Sequence, residues 1–195
     1  MNYKIECFDM KHIPLLVDEV EPLWSPSLGD RPFKRFNVEY IIRNNIFDND
    51  LRFQLTEDEA FCAAAFFARK GDVCSASEWF KEKSVLFPSD FLVASDMSRT
   101  YLELMDKKTF VLMNDDDIKL SLYISRKKGY GSRLLDAVCT QLKDSGYKNL
   151  FLWTDVECNW EWYVHHGYTL LNEDIYQPFS SEGYGYKTFI FQKAL

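Results

Sequence analysis

The residues whose types and spacing could most directly do chemistry lie between Arg126 and Ser132. The stretch reads Arg126-Lys127-Lys128-Gly129-Tyr130-Gly131-Ser132. Before it, Ile118, Leu120, Leu122 and Ile124 alternate with Lys119, Ser121, Tyr123 and Ser125, the period of a strand. After it, Leu134, Leu135, Val138 and Leu142 form one face of a helix running to about Ser145. A strand therefore enters a glycine turn that opens a helix. Helix N-termini leave backbone N–H groups unpaired and carry partial positive charge, and glycines let a ligand approach the backbone closely. Together they suit a pyrophosphate, and Arg126, Lys127, Lys128 and Arg133 add positive charge. A Gly-x-Gly pair also serves a plain tight turn before a helix, so its spacing leaves both readings open. The dinucleotide fingerprint is not met, because Leu134 stands where its third glycine would be, and no Gly-Lys-Ser/Thr follows.

Other reactive side chains are more dispersed. Cys7, Cys62, Cys74, Cys139 and Cys158 form no C-x-x-C pair, and with His12, His165 and His166 they make no metal-ligand spacing. They read as reduced, mostly buried thiols. Cys158 has no basic partner within sequence reach. Asp115, Asp116 and Asp117 read as a solvated turn, since a calcium loop needs more ligands and a later glutamate.

The elements that would position these groups follow from periodicity and from turn residues. Strands are expected at Tyr3–Phe8, Leu51–Leu55, Phe61–Ala68, Phe110–Met113, Ile118–Ser125, Leu150–Thr154, Tyr168–Leu171 and Lys187–Gln192; the apolar run Phe61–Ala68 also suits part of a helix, but the turn residues flanking it favour a hairpin with Leu51–Leu55. Helices are expected at Ile13–Trp24, at Val38–Phe47, from Ser77 until Pro88 breaks it, and at about Asp96–Met105. A short helix is expected at Trp160–His166. The second half thus reads as α/β with an antiparallel finish.

At 195 residues and 47% hydrophobic content the chain suits one domain with a full core. No apolar run is long enough to span a membrane, and Met1–Asp9 lacks the apolar centre of a signal peptide, so a cytoplasmic protein is expected. Residues 1–106 hold 12 Lys and Arg against 19 Asp and Glu, whereas residues 107–195 hold 11 of each. The entire net charge of −7 therefore falls in the first part, which argues against a nucleic-acid partner and favours a cationic one.

The turn also resembles a family pattern. Arg126-x-x-Gly129-x-Gly131 is similar to the Arg/Gln-x-x-Gly-x-Gly/Ala of the GNAT superfamily of acetyl-CoA-dependent acyltransferases. About 35 residues later, Asn159-Trp-Glu-Trp-Tyr163-Val-His-His-Gly167-Tyr168 resembles that family's aromatic-Tyr-x-x-x-Gly-aromatic segment. The resemblance covers residues 109–195. Residues 1–74 fit the family's opening loosely, and 75–108 departs from it, which implies a helical insertion within a single domain of residues 1–195.

The resemblance implies a three-layer α/β (α+β) fold, its mixed, mostly antiparallel sheet flanked by helices and containing a splayed parallel pair, Ile118–Ser125 with Leu150–Thr154. It implies acetyl-CoA as co-substrate and no metal. The pantetheine arm would lie between the splayed strands against Leu122 and Ile124. Lys128, Gly129, Gly131 and Ser132 would hold the pyrophosphate through their N–H groups, with Arg126, Lys127 and Tyr130 also part of the cofactor site. Asn159 either touches the cofactor or caps a helix. Tyr163 would be the general acid at the thioester sulfur, its alternative being packing. Asp155 and Glu157 either relay a proton from the amine or are solvated loop carboxylates. The implied activity is acetyl transfer to a primary amine of a small molecule or of a peptide, with the acidic first part of the chain favouring a cationic acceptor. The alternatives are a non-catalytic acyl-CoA-binding module on the same fold and, on the glycine turn alone, a nucleotide-binding structural protein. Trp79, Phe80, Phe87 and Phe91 are expected to cover the acceptor cleft or form a homodimer contact, unless they complete the core.

Overall fold

The computed structural model describes residues 2–195. Its seven strands are β1 (Tyr3–Cys7), β2 (Arg52–Glu57), β3 (Ala60–Ala68), β4 (Asp117–Ser125), β5 (Asn149–Asp155), β6 (Thr169–Ile175) and β7 (Lys187–Ala194). The helices are α1 (Ile13–Trp24), α2 (Arg31–Asn44), α3 (Ala76–Ser84), α4 (Ser89–Leu112), α5 (Tyr130–Asp144) and α6 (Trp160–His165). One sheet holds all seven strands in the order β1-β2-β3-β4-β5-β7-β6. Every neighbouring pair is antiparallel except β4 and β5, which α5 joins as a crossover. The mixed, mostly antiparallel sheet with one parallel pair has the form expected from the sequence.

Helices cover both faces. Leu134, Leu135, Val138 and Leu142 of α5 pack on Ala63, Ala65, Ile118, Leu150 and Phe191. On the opposite face Leu16, Val17, Val38 and Ile42 from α1 and α2 meet Ala64, Phe66, Leu122 and Ile124. The inner strand β3 is buried on both sides, which is why it reads as a continuous apolar run.

Several boundaries differ from expectation. The helix expected at Val38–Phe47 instead runs Arg31–Asn44: Pro32 lies in its first turn, where a missing N–H costs nothing, and Asp30 caps it by accepting from the Phe33 N–H at 3.0 Å. The strand expected at Phe110–Met113 is absent: Phe110 to Leu112 form the last turn of α4. Burial of Tyr101, Leu102, Met105 and Thr109 keeps helical spacing through this region, and Val111 is 73% exposed, so its apolar neighbours are no buried strand. Trp79, Phe80, Phe87 and Phe91 turn inward. They pack on Phe33, Phe36 and Tyr40 of α2, joining α3 and the start of α4 to that helix.

The regular alternation of β4 hides a change of face. Phe66 pairs with Leu122 and Phe67 with Leu120, so Ser121 is an extra residue on β4. This bulge puts Ile118 and Leu120 on the α5 face and Leu122 and Ile124 on the α1–α2 face. Just before it, Lys119 is fully buried. Its ammonium pairs with Asp106 of α4 and lies 4.9 Å from the ring centres of both Phe47 and Phe110. Burial holds the Lys119 pKa below the usual lysine value, against the pull of Asp106. Removing Asp106 leaves this ammonium unpaired in the core. Asp106→Ala is therefore expected to cost about 3–5 kcal/mol in urea unfolding, and Lys119→Met combined with Asp106→Leu much less. Equal losses in the two variants would contradict the buried-pair account.

Candidate active site

Strands β4 and β5 pair only at Asp117–Asn149, Ile118–Leu150 and Lys119–Phe151. Beyond those positions they diverge, and β4 and β5 together line a cleft of about 840 Å³. Its walls come from the open part of β4, from Trp153 to Asp155 of β5, from α6 and from α1, α2 and α4. Leu122, Ile124, Asn159 and Tyr163 all line it. The carboxylates on its walls belong to Glu19, Asp155 and Glu157, and no Lys or Arg stands among the described lining residues.

The glycine turn sits at the end of β4. Gly129 has φ +85°, a conformation that glycine adopts without strain. Gly131 has a different reason to be glycine. A Cβ there would lie 2.5 Å from the Tyr123 hydroxyl and 2.8 Å from the Ser125 Cβ. The Gly131 N–H donates to Ser125 Oγ at 3.0 Å, the Tyr130 N–H to the Lys127 carbonyl at 3.2 Å, and the Arg126 N–H to the Cys62 carbonyl at 2.9 Å. The N–H groups of Lys128, Gly129 and Ser132 have no protein partner among the described residues. The basic cluster is also partly engaged. Lys127 and the Tyr130 hydroxyl both bond Glu57, and Arg126 reaches Glu19 at 3.4 Å. The charge left for an anion at the turn is that of exposed Lys128 and of exposed Arg133, whose guanidinium lies 4.3 Å from the Tyr3 ring centre with no carboxylate partner among the described residues.

Tyr163 lies on α6, its ring against Tyr168 and Phe191. Burial, helped by Cys158 and Tyr123, raises its pKa above the usual phenol value, so the hydroxyl keeps its proton at neutral pH. That hydroxyl makes no hydrogen bond among the described residues. Asn159 occupies the N-cap position of α6 without a side-chain capping bond. His166 stacks on Trp162 with ring centres 3.8 Å apart, which accounts for it without a proton-transfer role. Burial pushes the Cys158 thiol up to about 12, unsuited to a nucleophile.

Asp155 is not the solvated carboxylate its place in the sequence allows. It is 6% exposed, accepts from the Tyr101 hydroxyl at 2.9 Å and from the Glu157 N–H at 3.1 Å, and lies beside the Tyr186 hydroxyl. The tyrosines come from α4 and from the segment before β7, so no sequence motif links them to Asp155. Glu157 is exposed and accepts from Tyr184.

No protein-family model matches the chain, and no curated protein gives a significant match. Solved structures do. The ribosomal-protein-S18-alanine N-acetyltransferase of Escherichia coli superposes with a TM-score of 0.54 at 13% identity, over 99% of this chain and 94% of that one. A mosquito arylalkylamine N-acetyltransferase-like protein, 5b, gives 0.56 at 12% identity over the whole of both chains. This chain has the GNAT fold. An N-acetylglutamate synthase of Neisseria gonorrhoeae, complexed with coenzyme A and N-acetylglutamate, matches at 0.50 and 14% identity, over 100% of this chain and 35% of that one. At such identities the likeness is one of fold, and it places the splayed pair in a GNAT sheet. It does not carry residue roles.

The packing at Gly131 has a testable consequence. Gly131→Ala is expected to lower stability by about 1–3 kcal/mol, because Tyr123 and Ser125 must give way. Tyr123→Phe removes the nearest clashing atom and should recover part of that loss in the double variant. Additive losses in thermal unfolding would contradict the close-approach account.

Proposed function

We propose that the chain transfers an acetyl group from acetyl-CoA to a primary amine. The observation that carries this reading is the forked β4–β5 pair, whose cleft runs to Ser125, the last residue of β4 before the glycine turn, and has the protonated phenol of Tyr163 on its wall. The residues present fit the co-substrate. The unpartnered N–H groups of Lys128, Gly129 and Ser132, with the Lys128 ammonium, would hold the pyrophosphate. Gly131 acts instead by close packing, and Arg126, Lys127 and Tyr130 shape the turn through their protein partners. The backbone around Leu122 and Ile124 has no β5 partner and would pair with the pantetheine arm. Acetyl-CoA supplies an acyl group activated as a thioester.

The chain's own groups then have defined tasks. The acceptor nitrogen, deprotonated, attacks the acetyl carbon; the C–N bond forms and the C–S bond breaks. Tyr163 donates its proton to the departing sulfur, a task for which a phenol that stays protonated at neutral pH is suited. The nitrogen gives up two protons in all. One balances the proton that ends on the coenzyme A thiol, and the other is released to water. The three carboxylates of the cleft favour a cationic acceptor over an anionic one, in line with the acidic first part of the chain.

Acetyl-CoA is expected to raise the melting temperature of the wild type by binding the folded state. Tyr163→Phe should keep that shift and lower kcat by about 10²-fold or more in an assay of free coenzyme A release with a panel of amines. No melting shift at saturating acetyl-CoA would remove the co-substrate reading. Binding without transfer by the wild type would leave an acyl-CoA-binding module, and unchanged kcat in Tyr163→Phe would leave the tyrosine as packing.

A further inference from the structure

Asp155 is a nearly fully buried carboxylate with no Lys, Arg or His paired to it among the described residues. Burying a charge without an opposite charge is costly, and hydroxyl and amide donors offset only part of that cost. The two other carboxylates of the cleft differ. Glu19 has Arg126 beside it, and Glu157 is exposed. The cleft therefore holds one buried carboxylate that still lacks a cation.

Its surroundings are aromatic. Tyr101 has its ring centre 5.5 Å from Trp153, 5.1 Å from Phe179 and 5.9 Å from Tyr186. Trp153, Phe179, Tyr101 and Tyr186 all line the cleft. Aromatic faces attract an ammonium and provide flat apolar surface for the body that carries it. Further out, the cleft is bordered by Leu23, Trp24 and Met97, also apolar.

Resting on the acyl-transfer reading of this cleft, we infer that the Asp155 end takes up, in its ammonium form, a monocationic primary amine borne on an aromatic or apolar body; for transfer that same nitrogen then gives up a proton before it attacks. One buried carboxylate meets one positive charge, and the ring wall accepts the rest of the molecule. A polyamine would need further seats for its additional charges, and the remaining carboxylates are already paired with Arg126 or open to water. Tyr101 is then a positioning residue: its hydroxyl holds the carboxylate while its ring forms part of the wall. This gives α4 a part in acceptor recognition, through a side chain from the segment that departs from the family pattern.

The test is equilibrium binding, which does not depend on turnover. Three ligands, 2-phenylethylamine, its uncharged near-isostere 2-phenylethanol and the dication putrescine, are titrated with coenzyme A present, following tryptophan fluorescence. Wild type is expected to bind the amine at least about tenfold more tightly than the alcohol, and more tightly than putrescine. Asp155→Asn should abolish the amine-over-alcohol preference while leaving the alcohol's affinity unchanged. Tyr101→Phe, which keeps the ring, should narrow that preference about three- to tenfold and serves should Asp155→Asn fail to fold. The inference is overturned by equal affinities for amine and alcohol in the wild type, by tighter binding of putrescine, or by a preference that survives these substitutions. Acetyl transfer by the same samples, read separately, bears on the catalytic reading: good binding with no transfer would sink that reading and leave the amine seat standing.

Discussion

The site depends on two strands that start as a parallel pair and stop pairing after three residues. Asp117 fixes the closed end. It is fully buried and accepts from the Asn149 side chain at 2.7 Å and from the Asn114 N–H at 2.8 Å, which aligns the first residue of β4 with the first of β5. At the fork, Asp106 of α4 receives the Lys119 ammonium from β4 and the Trp153 indole N–H, at 2.6 Å, from β5. One carboxylate on a helix thus holds both strands where they part. The bulge at Ser121 completes the change, turning Leu122 and Ile124 toward α1 and α2. Beyond it, β4 keeps β3 on one side and has no strand on the other.

The consequences run outward from this fork. Backbone that would otherwise be paired with β5 is left facing the cleft, and the end of β4 delivers the chain into the glycine turn. The end of β5 carries Thr154 and Asp155 into the same space, and the short connection to α6 brings Tyr163 alongside. The glycine turn proposed to bind the pyrophosphate and the proposed proton donor Tyr163 come from successive elements along the chain. Asp155, on the wall of the same cleft as Tyr163, is held by tyrosines from distant parts of the chain. The buried ion pair is costly to desolvate, so its value lies less in net stability than in fixing where the two strands separate.

Much of the second half was legible in the sequence because its signals are local. The alternation of β4, the glycine pair and the amphipathic α5 each occupy a single window, and the aromatic segment around Tyr163 follows at a fixed distance. The bulge was not legible, since Ile118, Leu120, Leu122 and Ile124 alternate without a break although the face changes between Leu120 and Leu122. The extent of α4 was obscured by Phe110 to Leu112, an apolar run that reads as a strand but closes a helix. The environment of Asp155 depends on Tyr101 and Tyr186, 54 and 31 positions away, and no spacing rule connects them. Partners for Arg126 and Lys127 in Glu19 and Glu57 were hidden for the same reason. Long-range polar contacts, rather than the elements themselves, were the missing part.

The central claim is that the fork between β4 and β5 is where coenzyme A lies. Backbone amide hydrogen exchange with and without coenzyme A tests it most directly, because it reads the N–H groups at issue. The account expects slowed exchange in two stretches, Leu122–Ser125 on the open edge of β4 and Lys128–Ser132 in the glycine turn, with little change in β1 and β6. Saturating coenzyme A that leaves both stretches unchanged, or protects a different part of the chain, would contradict it.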